Sequence, residues 1–359
     1  MKKILSKDDV KAAIKGGSIY ACGGGGWVRH GLELGELATT IGRPVLASID
    51  EFDPNDLIAT SAAIGAPGDL SDWEMLGIDY VKAVKLVQER IKKPIAGLMI
   101  GQNGMSSTLN AWLPSAVLGT YVADALGDLR AHPTADMGSL GLSKEIVVQS
   151  VAGGNRANGQ YLEMVCEGVC DNISWILRAA SHQSGGFIAS CRNPIPASYV
   201  KEHAVLGGIS MALDLGWALL EAGDSPNKKL DALCKQAGGE TVFQGSVVST
   251  SLEYTKQAFD VGVIELKEGR RKAKIHVMNE HMALDISGKR VSTYPDVITT
   301  LDSQGEAISA GHIKPGDEIY IFSVPKDKIP LSSSVKDRAV YGKVEEILGI
   351  SIADYALGE

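Results

Sequence analysis

Residues 121–142 read YVADALGDLRAHPTADMGSLGL. The apolar run that ends at Ala123 predicts a buried strand, which breaks into a loop at Asp124. The loop carries four more ionisable side chains, namely Asp128, Arg130, His132 and Asp136. Ligands of open α/β sheets bind beyond the carboxyl ends of the strands, so this loop is a candidate functional site. An imidazole between acids and a cation suits proton transfer, although the same residues also fit a polar turn held by an Asp–Arg pair.

Other apolar runs along the first 240 residues also end at glycine or at acidic and amide side chains. We predict strands over 18–22, 45–49, 57–64, 95–100, 121–123 and 146–151. We predict helices over 6–17, 27–41, 80–91, 106–118, 164–185, 209–222 and 228–237. Strands that alternate with helices indicate a mostly parallel sheet covered by helices, in three α/β/α layers.

The carboxyl ends of parallel strands meet at one edge, which groups several polar segments near the 124–132 loop. The substrate-binding candidates are Gly23, Gly24, Gly25, Gly26, Glu51, Gln102 and Asn103, and Asp50 joins the catalytic candidates. Four glycines between a predicted strand and a helix suit close approach to an anion. They match neither the dinucleotide fingerprint nor the P-loop, and a flexible tight turn remains an alternative.

From residue 240 the pattern changes to short segments of period two, punctuated by glycine and serine. This pattern of short alternating segments predicts a β-rich, barrel-like unit. We therefore expect an α/β domain over 1–238, with a helical extension at 166–238, and a β-rich domain over 239–334. The tail at 335–359 is predicted to be helical and to return to the first domain.

Composition excludes several classes of protein. The 359 residues carry a net charge of −8, without the basic stripe that nucleic-acid binding requires. No apolar run approaches the roughly 20 residues of a spanning helix. Five scattered cysteines suit a reducing compartment. We expect a cytoplasmic homo-oligomer that binds a small molecule and neither nucleic acid nor membrane; no cofactor is predicted, and a divalent metal is not excluded.

Six stretches taken in order resemble one family. They are YACGGGG (20–26), AIGAPGDLSDWE (63–74), GLMIGQNG (97–104), the 124–133 loop, HVMNEHMAL (276–284) and YPDVITTLDSQGEAISAGHIKPGDEIYIF (294–322). The chain resembles the hydantoinase/oxoprolinase-associated proteins, whose family is named after S-methyl thiohydantoin desulfurase. The resemblance implies an N-terminal α/β unit that ends near residue 165 and a C-terminal unit with a β-barrel.

The resemblance also implies an activity, the hydrolytic release of methanethiol from an S-methylated thiohydantoin to leave a hydantoin. The family pattern Asp-Ala-Asp-x-x-Gly-Arg-Ala-x-Pro is matched at Asp124, Arg130, Ala131 and Pro133. Two positions in this pattern depart from the family: Leu126 replaces the second Asp, and Leu129 replaces the Gly before Arg. In the separate 97–104 stretch, Gln102 stands where a glycine is usual.

Hydrolysis of such a ring needs an activated water or nucleophile, a proton donor and a group that positions an anion. We expect Asp124 or Asp50 to act as general base and His132 to shuttle the proton. Arg130 is expected to hold a carboxylate or the ring oxygen. The N–H groups of the glycine turn are expected to stabilise an oxyanion or bind an acid group.

Further candidates leave alternatives open. Cys22, beside the glycines, is a candidate nucleophile or simply a small buried residue. Glu280, next to Asn279 in the β-rich unit, reaches over the cleft or forms part of a hairpin. His132 with Asp124 and Asp128 is a possible ligand set for a metal. A non-catalytic binding subunit of a hydantoinase/oxoprolinase system is the alternative function.

Overall fold

The computed structural model describes residues 1–65 and 73–359. The described helices are α1 (Lys7–Tyr20), α2 (Val28–Ile41), α3 (Gly77–Ile91), α4 (Trp112–Leu118), α5 (Cys170–Gln183), α6 (Ala197–His203), α7 (Gly208–Glu221), α8 (Pro226–Ala237), α9 (Gly342–Leu348) and α10 (Ala353–Leu357). The predicted helices over 27–41, 80–91, 209–222 and 228–237 are confirmed with small shifts at their ends. Part of the AIGAPGDLSDWE stretch lies outside the described residues.

The strands form two sheets. The first contains β1 (Lys2–Ile4), β2 (Val45–Ala47), β3 (Leu57–Gly65), β4 (Gly97–Gln102), β5 (Tyr121–Asp128), β6 (Ile146–Gly153), β7 (Leu162–Val169), β8 (Phe187–Pro196) and β9 (Val205–Leu206). The second contains β10 (Glu240–Thr250), β11 (Glu253–Tyr254), β12 (Asp260–Glu268), β13 (Arg271–Met278), β14 (Glu280–Ile286), β15 (Lys289–Thr293), β16 (Val297–Leu301) and β17 (Glu318–Val324).

The first sheet is mixed, so the prediction of a mostly parallel sheet is wrong. Its strand order is β1-β2-β5-β4-β3-β8-β6-β7, with β9 also paired to β5. Pairing is parallel only from β2 through β5 and β4 to β3. The remaining described pairs are antiparallel. Residues 154–161 join β6 to β7 as a hairpin, and such a short connection permits only antiparallel pairing.

Helices cover both faces of this sheet. Along β4, Leu98 packs into one hydrophobic cluster and Met99 into another, because successive strand residues point to opposite faces. The first cluster includes side chains of α1 to α4 and α7, and the second includes side chains of α5 and α6. Burial on both faces explains why these strands read as nearly continuous apolar runs.

The second sheet is antiparallel and curls into a half-barrel with the order β15-β14-β13-β12-β10-β17-β16 and β11 beside β12. It confirms the β-rich character predicted after residue 240. Its inner face has its own hydrophobic cluster, in which Phe243, Ile275 and Ile321 are buried. The C-terminal helices pack on a neighbouring cluster that includes Phe259 and Met278. No helix in the described ranges is long and apolar enough to cross a lipid bilayer.

The first helix continues through the glycine pair that was predicted to end it. It is capped at Ser6 as predicted but extends to Tyr20, so the predicted strand over 18–22 is wrong. A Cβ atom on Gly16 would lie 1.7 Å from the carbonyl oxygen of Ala212 on α7. Glycine at this position allows α1 and α7 to cross closely, and it does not end the helix.

Two further boundaries differ from the prediction. β5 continues to Asp128, which places Asp124 inside the strand rather than in a loop. Residues 162–169 form β7, so the helix predicted over 164–185 begins only at Cys170. In β5, apolar residues continue past the predicted end of the strand. In β7, the apolar residues fit either a strand or a helix, and periodicity alone does not distinguish the two.

The two sheets meet at the turn that follows α1. The His281 N–H donates to the Cys22 carbonyl oxygen at 2.7 Å, and the Ala310 N–H donates to the Gly23 carbonyl oxygen at 2.9 Å. The Tyr294 hydroxyl donates to Asp128 at the end of β5. These contacts hold the glycine turn, residues 23–26 between α1 and α2, against the half-barrel.

Candidate active site

A cavity of about 580 Å³ lies where the two sheets meet. Its walls include the glycine turn, the ends of β3 and β4, the loop after β5, α5 and the start of β14. Its polar and ionisable wall residues include Gln102, His132, Asp136, Arg178, Arg192, Tyr254, Asp260, Asn279 and Glu280. The volume and the convergent polar groups fit a small-molecule site.

The glycine turn packs so closely that side chains are excluded from it. Gly23, Gly25 and Gly26 have positive φ angles of 85°, 76° and 85°. A Cβ atom on Gly24 would lie 2.2 Å from Oε1 of Glu280. Within the described part of the chain, the amide N–H groups of Gly25 and Gly26 have no acceptor. The backbone of the turn therefore forms part of the cavity wall.

Glu280 is a buried acid in this wall. Its residue is 3% exposed, and its Oε2 atom has no hydrogen-bond partner among the described residues. Burial raises the pKa of Glu280 to about 8, while Arg130 and Arg178 act in the opposite direction. At neutral pH this carboxyl group mostly keeps its proton, which makes it a potential acid.

Asp136 is a second buried acid, and its environment differs. Burial raises the pKa of Asp136 to about 6, Arg192 lowers it and Asp171 raises it further. Its Oδ1 atom has no hydrogen-bond partner in the described residues. At neutral pH this carboxylate is mostly ionised. Asp136 and Glu280 thus give the cavity wall an ionised and a protonated carboxyl group, suited to opposite roles in proton transfer.

His132 lines the cavity as a neutral imidazole. Its Nδ1 atom lies 2.8 Å from the Thr134 carbonyl oxygen, which can only accept, so the ring proton belongs on Nδ1. Burial lowers the pKa of His132 to about 4. Its backbone N–H donates to Oε1 of Gln102 at 3.1 Å, which joins two of the predicted site residues.

Two buried guanidinium groups contribute positive charge. Arg178 donates to the carbonyl oxygens of Ala258 and Pro133, and Arg192 donates to Oε1 of Gln149. Both side chains also line the cavity. Each guanidinium carries five N–H donors, so these anchoring bonds leave donors for a bound group. The pair favours negative charge inside the cavity.

Two of the predicted site residues, Asp124 and Asn103, are buried in structural roles beside the cavity. Asp124 accepts hydrogen bonds from the N–H groups of Ile209 and Ser210 and thereby caps α7. Asn103 donates to the carbonyl oxygens of Leu129 and Gly208. Neither side chain is part of the cavity wall in the described residues.

Arg130 is fully buried and ties the two sheets together. Its guanidinium donates to the carbonyl oxygens of Ala131, Asp296 and His281 at 2.9, 2.7 and 3.0 Å. It stands behind the cavity wall and acts on Glu280 through its charge. The geometry therefore gives Arg130 a structural position, unlike the substrate contact predicted from the sequence.

Asp50 and Glu51 lie on the protein surface, away from the cavity. Asp50 pairs with Lys201 at 2.8 Å, and Glu51 pairs with the N-terminal amine at 2.6 Å. β2 ends at Ala47, and a short 3-10 turn then carries both acids outward. The structure does not bring them to the other candidates.

Cys22 is buried beneath the glycine turn and does not line the cavity. Burial raises the pKa of the Cys22 thiol, although Arg130 acts to lower it. The expected activation by a helix N-terminus is absent, because Cys22 follows the end of α1 rather than preceding α2 directly. The position of Cys22 therefore fits the alternative of a small buried residue rather than that of a nucleophile.

The proposed metal ligands do not gather. Over residues 1–65 and 73–359, no three His, Cys, Asp or Glu side chains form a group that could hold a metal ion. His132, Asp124 and Asp128 therefore do not make a ligand set, since Asp124 caps α7 and Asp128 bonds to Tyr294.

Sequence reasoning missed several wall residues. Arg178 lies on α5 and Arg192 on β8, and neither stands next to a motif. Asp136 lies in the predicted loop but carried no assigned role. The positive φ angle of Asn279 has a weak sequence signal, since asparagine tolerates this conformation. Only the tertiary arrangement brings Arg178, Arg192 and Asp136 to the same cavity as Glu280.

Comparison with known proteins agrees with the fold and the order of motifs. The S-Me-THD-like N-terminal domain matches residues 8–162, and the S-Me-THD-like C-terminal domain matches residues 170–333. A crystal structure of a protein from Chromobacterium violaceum has the same fold, with a TM-score of 0.75, 19% identity and coverage of 98% of each chain. No curated protein matches the chain significantly. The two domain matches span nearly the whole sequence, and the chain belongs to the S-Me-THD-like family.

Proposed function

We propose that this protein is a hydrolase of a hydantoin-like ring, which releases methanethiol from an S-methylated thiohydantoin. Family membership supports the class of substrate. The observation that carries the proposal is the pair of buried carboxyl groups with separated pKa values, Asp136 and Glu280, in the wall of one cavity. Such separation assigns one group as base and the other as acid.

The reaction follows from these protonation states. Asp136 accepts a proton from water as the water oxygen attacks the ring carbon that carries sulfur. The carbon–sulfur bond then breaks, and Glu280 gives its proton to the sulfur, which leaves as methanethiol. The remaining proton on the new oxygen passes to the ring nitrogen of the former C=N bond, so the ring carbon keeps that oxygen as a carbonyl group. Asp136 ends with one more proton and Glu280 with one fewer, and exchange with solvent restores both.

Negative charge that develops on the ring during attack has several stabilising groups nearby. Arg178 and Arg192 are buried cations in the wall, and the N–H groups of Gly25 and Gly26 have no acceptor among the residues that the structure describes. Fixed donors in a site shielded from water stabilise such charge more strongly than water does. His132 takes part as a neutral acceptor in the wall, because its pKa of about 4 opposes a role as proton shuttle.

The test is an assay of purified protein with hydantoins, thiohydantoins and their S-methyl forms. Methanethiol release and the hydantoin product are followed by mass spectrometry, with and without a chelator. We expect turnover only for S-methyl forms, insensitive to the chelator. Ligand affinity without turnover by any compound would instead favour the non-catalytic binding subunit and overturn the proposal.

A further inference from the structure

Asn279 joins β13 to β14 as a single residue and adopts a backbone conformation that most residues avoid. Its φ angle is 56°, in the left-handed region. Met278 and Glu280 on either side of it pair with each other. The whole reversal of the chain therefore takes place at Asn279, and its backbone determines the direction in which the Glu280 side chain leaves the turn.

Two hydrogen bonds fix this turn to the neighbouring strand. The Asn279 N–H donates to the Asp260 carbonyl oxygen at 2.8 Å. The Asp260 N–H donates to Oδ1 of Asn279 at 2.9 Å. Asp260 begins β12, which pairs with β13. Asn279 is thus held through both its backbone and its side chain.

Glu280 has little room on its other side. The space next to its carboxyl group is available only because residue 24 is glycine, since a Cβ atom there would lie 2.2 Å from Oε1. The charged groups that act on this carboxyl are Arg130, Arg178 and Asp260. A rotation of the backbone at Asn279 would change the distance from Glu280 to all three charges.

We propose that Asn279 is a positioning residue, whose left-handed backbone, bonded through its N–H to the Asp260 carbonyl oxygen, holds the Glu280 carboxyl against the glycine turn inside the cavity. The inference rests on the acid role proposed for Glu280. Asparagine is suited to this position because it tolerates the left-handed region and also supplies a side-chain acceptor.

Two substitutions separate backbone positioning from a side-chain contact. Asn279→Ala and Asn279→Gly both remove the amide, but only glycine enters the left-handed region without strain. We expect Asn279→Ala to lower kcat about a hundredfold, as misplacement of a catalytic group does, and Asn279→Gly to keep most of it. Ser287→Ala is the matched control, because Ser287 also has a positive φ angle but lies in an exposed turn outside the cavity wall.

A second measurement does not depend on turnover. Protein with ¹³C-labelled glutamate carboxyl groups is titrated by NMR, and the Glu280 signal is assigned by its loss in Glu280→Gln. We expect titration at about 8 in the native protein, a similar value in Asn279→Gly and a lower one in Asn279→Ala. Identical titration in all three folded proteins, or equal shifts in the alanine and glycine variants, would overturn the positioning role.

If Asn279→Ala does not fold, Asn279→Ser takes its place, since serine is also disfavoured in the left-handed region but offers a hydroxyl acceptor to the Asp260 N–H. A native protein that turns over no S-methyl thiohydantoin would overturn the proposed function. The NMR comparison would then still decide whether Asn279 positions Glu280.

Discussion

Glu280 and Asp136 illustrate how burial and nearby charge separate two chemically similar side chains. Burial raises both pKa values, but Glu280 reaches about 8 and Asp136 about 6. Between these values one group retains its proton and the other has lost it. The sequence contains 43 acidic residues, and no local pattern indicates that burial raises the pKa of these two.

Replacement of Glu280 removes the proposed acid without a large change in shape. We expect Glu280→Gln to lower turnover by about 10² to 10⁴, the usual contribution of a general acid, and to remove the decline in rate above pH 8. Steady-state assays across pH measure both effects. Glu268→Gln, in an exposed ion pair with Arg271, is the matched control and should leave turnover unchanged. Unchanged turnover in Glu280→Gln would exclude Glu280 as the acid.

The same substitution has a predicted effect on stability that depends on pH. Burial raises the folded pKa of Glu280 to about 8, above the ordinary value of 4.5, so the folded state binds more protons between these values. Native stability relative to Glu280→Gln therefore falls as pH rises from about 4.5 to about 8 and then levels off. Urea unfolding of both proteins at pH 6 and pH 9 measures the difference. A constant difference would show that the carboxyl ionises normally in the fold.

The secondary-structure elements show where sequence patterns are sufficient and where they fail. The helical periodicity of α2, α3, α7 and α8 and the period of two in the half-barrel are local signals, and the structure confirms them. The glycine pair at 16–17 has the local signature of a helix end, yet it allows α1 to cross α7. That reason involves a partner about 200 residues away, which no local window contains.

A side chain at this crossing should therefore destabilise the fold. In Gly16→Ala the added methyl group would lie 1.7 Å from the Ala212 carbonyl oxygen, so the helices must separate. We expect a loss of about 1–3 kcal/mol, as for other overpacked sites, measured by urea denaturation. Gly342→Ala is the matched control, because nothing lies within 4 Å of its Cβ position. Equal stability of both variants would contradict the close crossing.

Over the whole molecule, the candidate site exists only where the two sheets meet. The sequence predicted the glycine turn, Gln102, His132 and Glu280, which do line one cavity. It did not predict Arg178 and Arg192, because their positions depend on how α5 and β8 pack in the assembled fold. Asp50 and Glu51 were grouped with the site by assuming a mostly parallel sheet. β2 does run parallel to β5, but it ends at Ala47, and the short turn after it carries both acids to ion pairs on the surface.

Replacement of Arg130 tests whether its hydrogen bonds hold the two sheets together. In Arg130→Met, three buried carbonyl oxygens lose their donor, each at a cost of about 1–3 kcal/mol before relaxation. We expect a lower urea midpoint together with reduced turnover. Arg29→Met, at a side chain that is 91% exposed, should leave the midpoint unchanged. An unchanged urea midpoint together with lost turnover would instead indicate that Arg130 takes part in the reaction.

The most direct test of the acid–base pair is the pH dependence of kcat/KM for methanethiol release by the native protein. The ionised form of Asp136 and the protonated form of Glu280 coexist mainly between pH 6 and pH 8. We expect a bell-shaped profile with limbs near these values, whose acidic limb is lost in Asp136→Asn and whose basic limb is lost in Glu280→Gln. A flat profile, or limbs that neither substitution changes, would contradict the account.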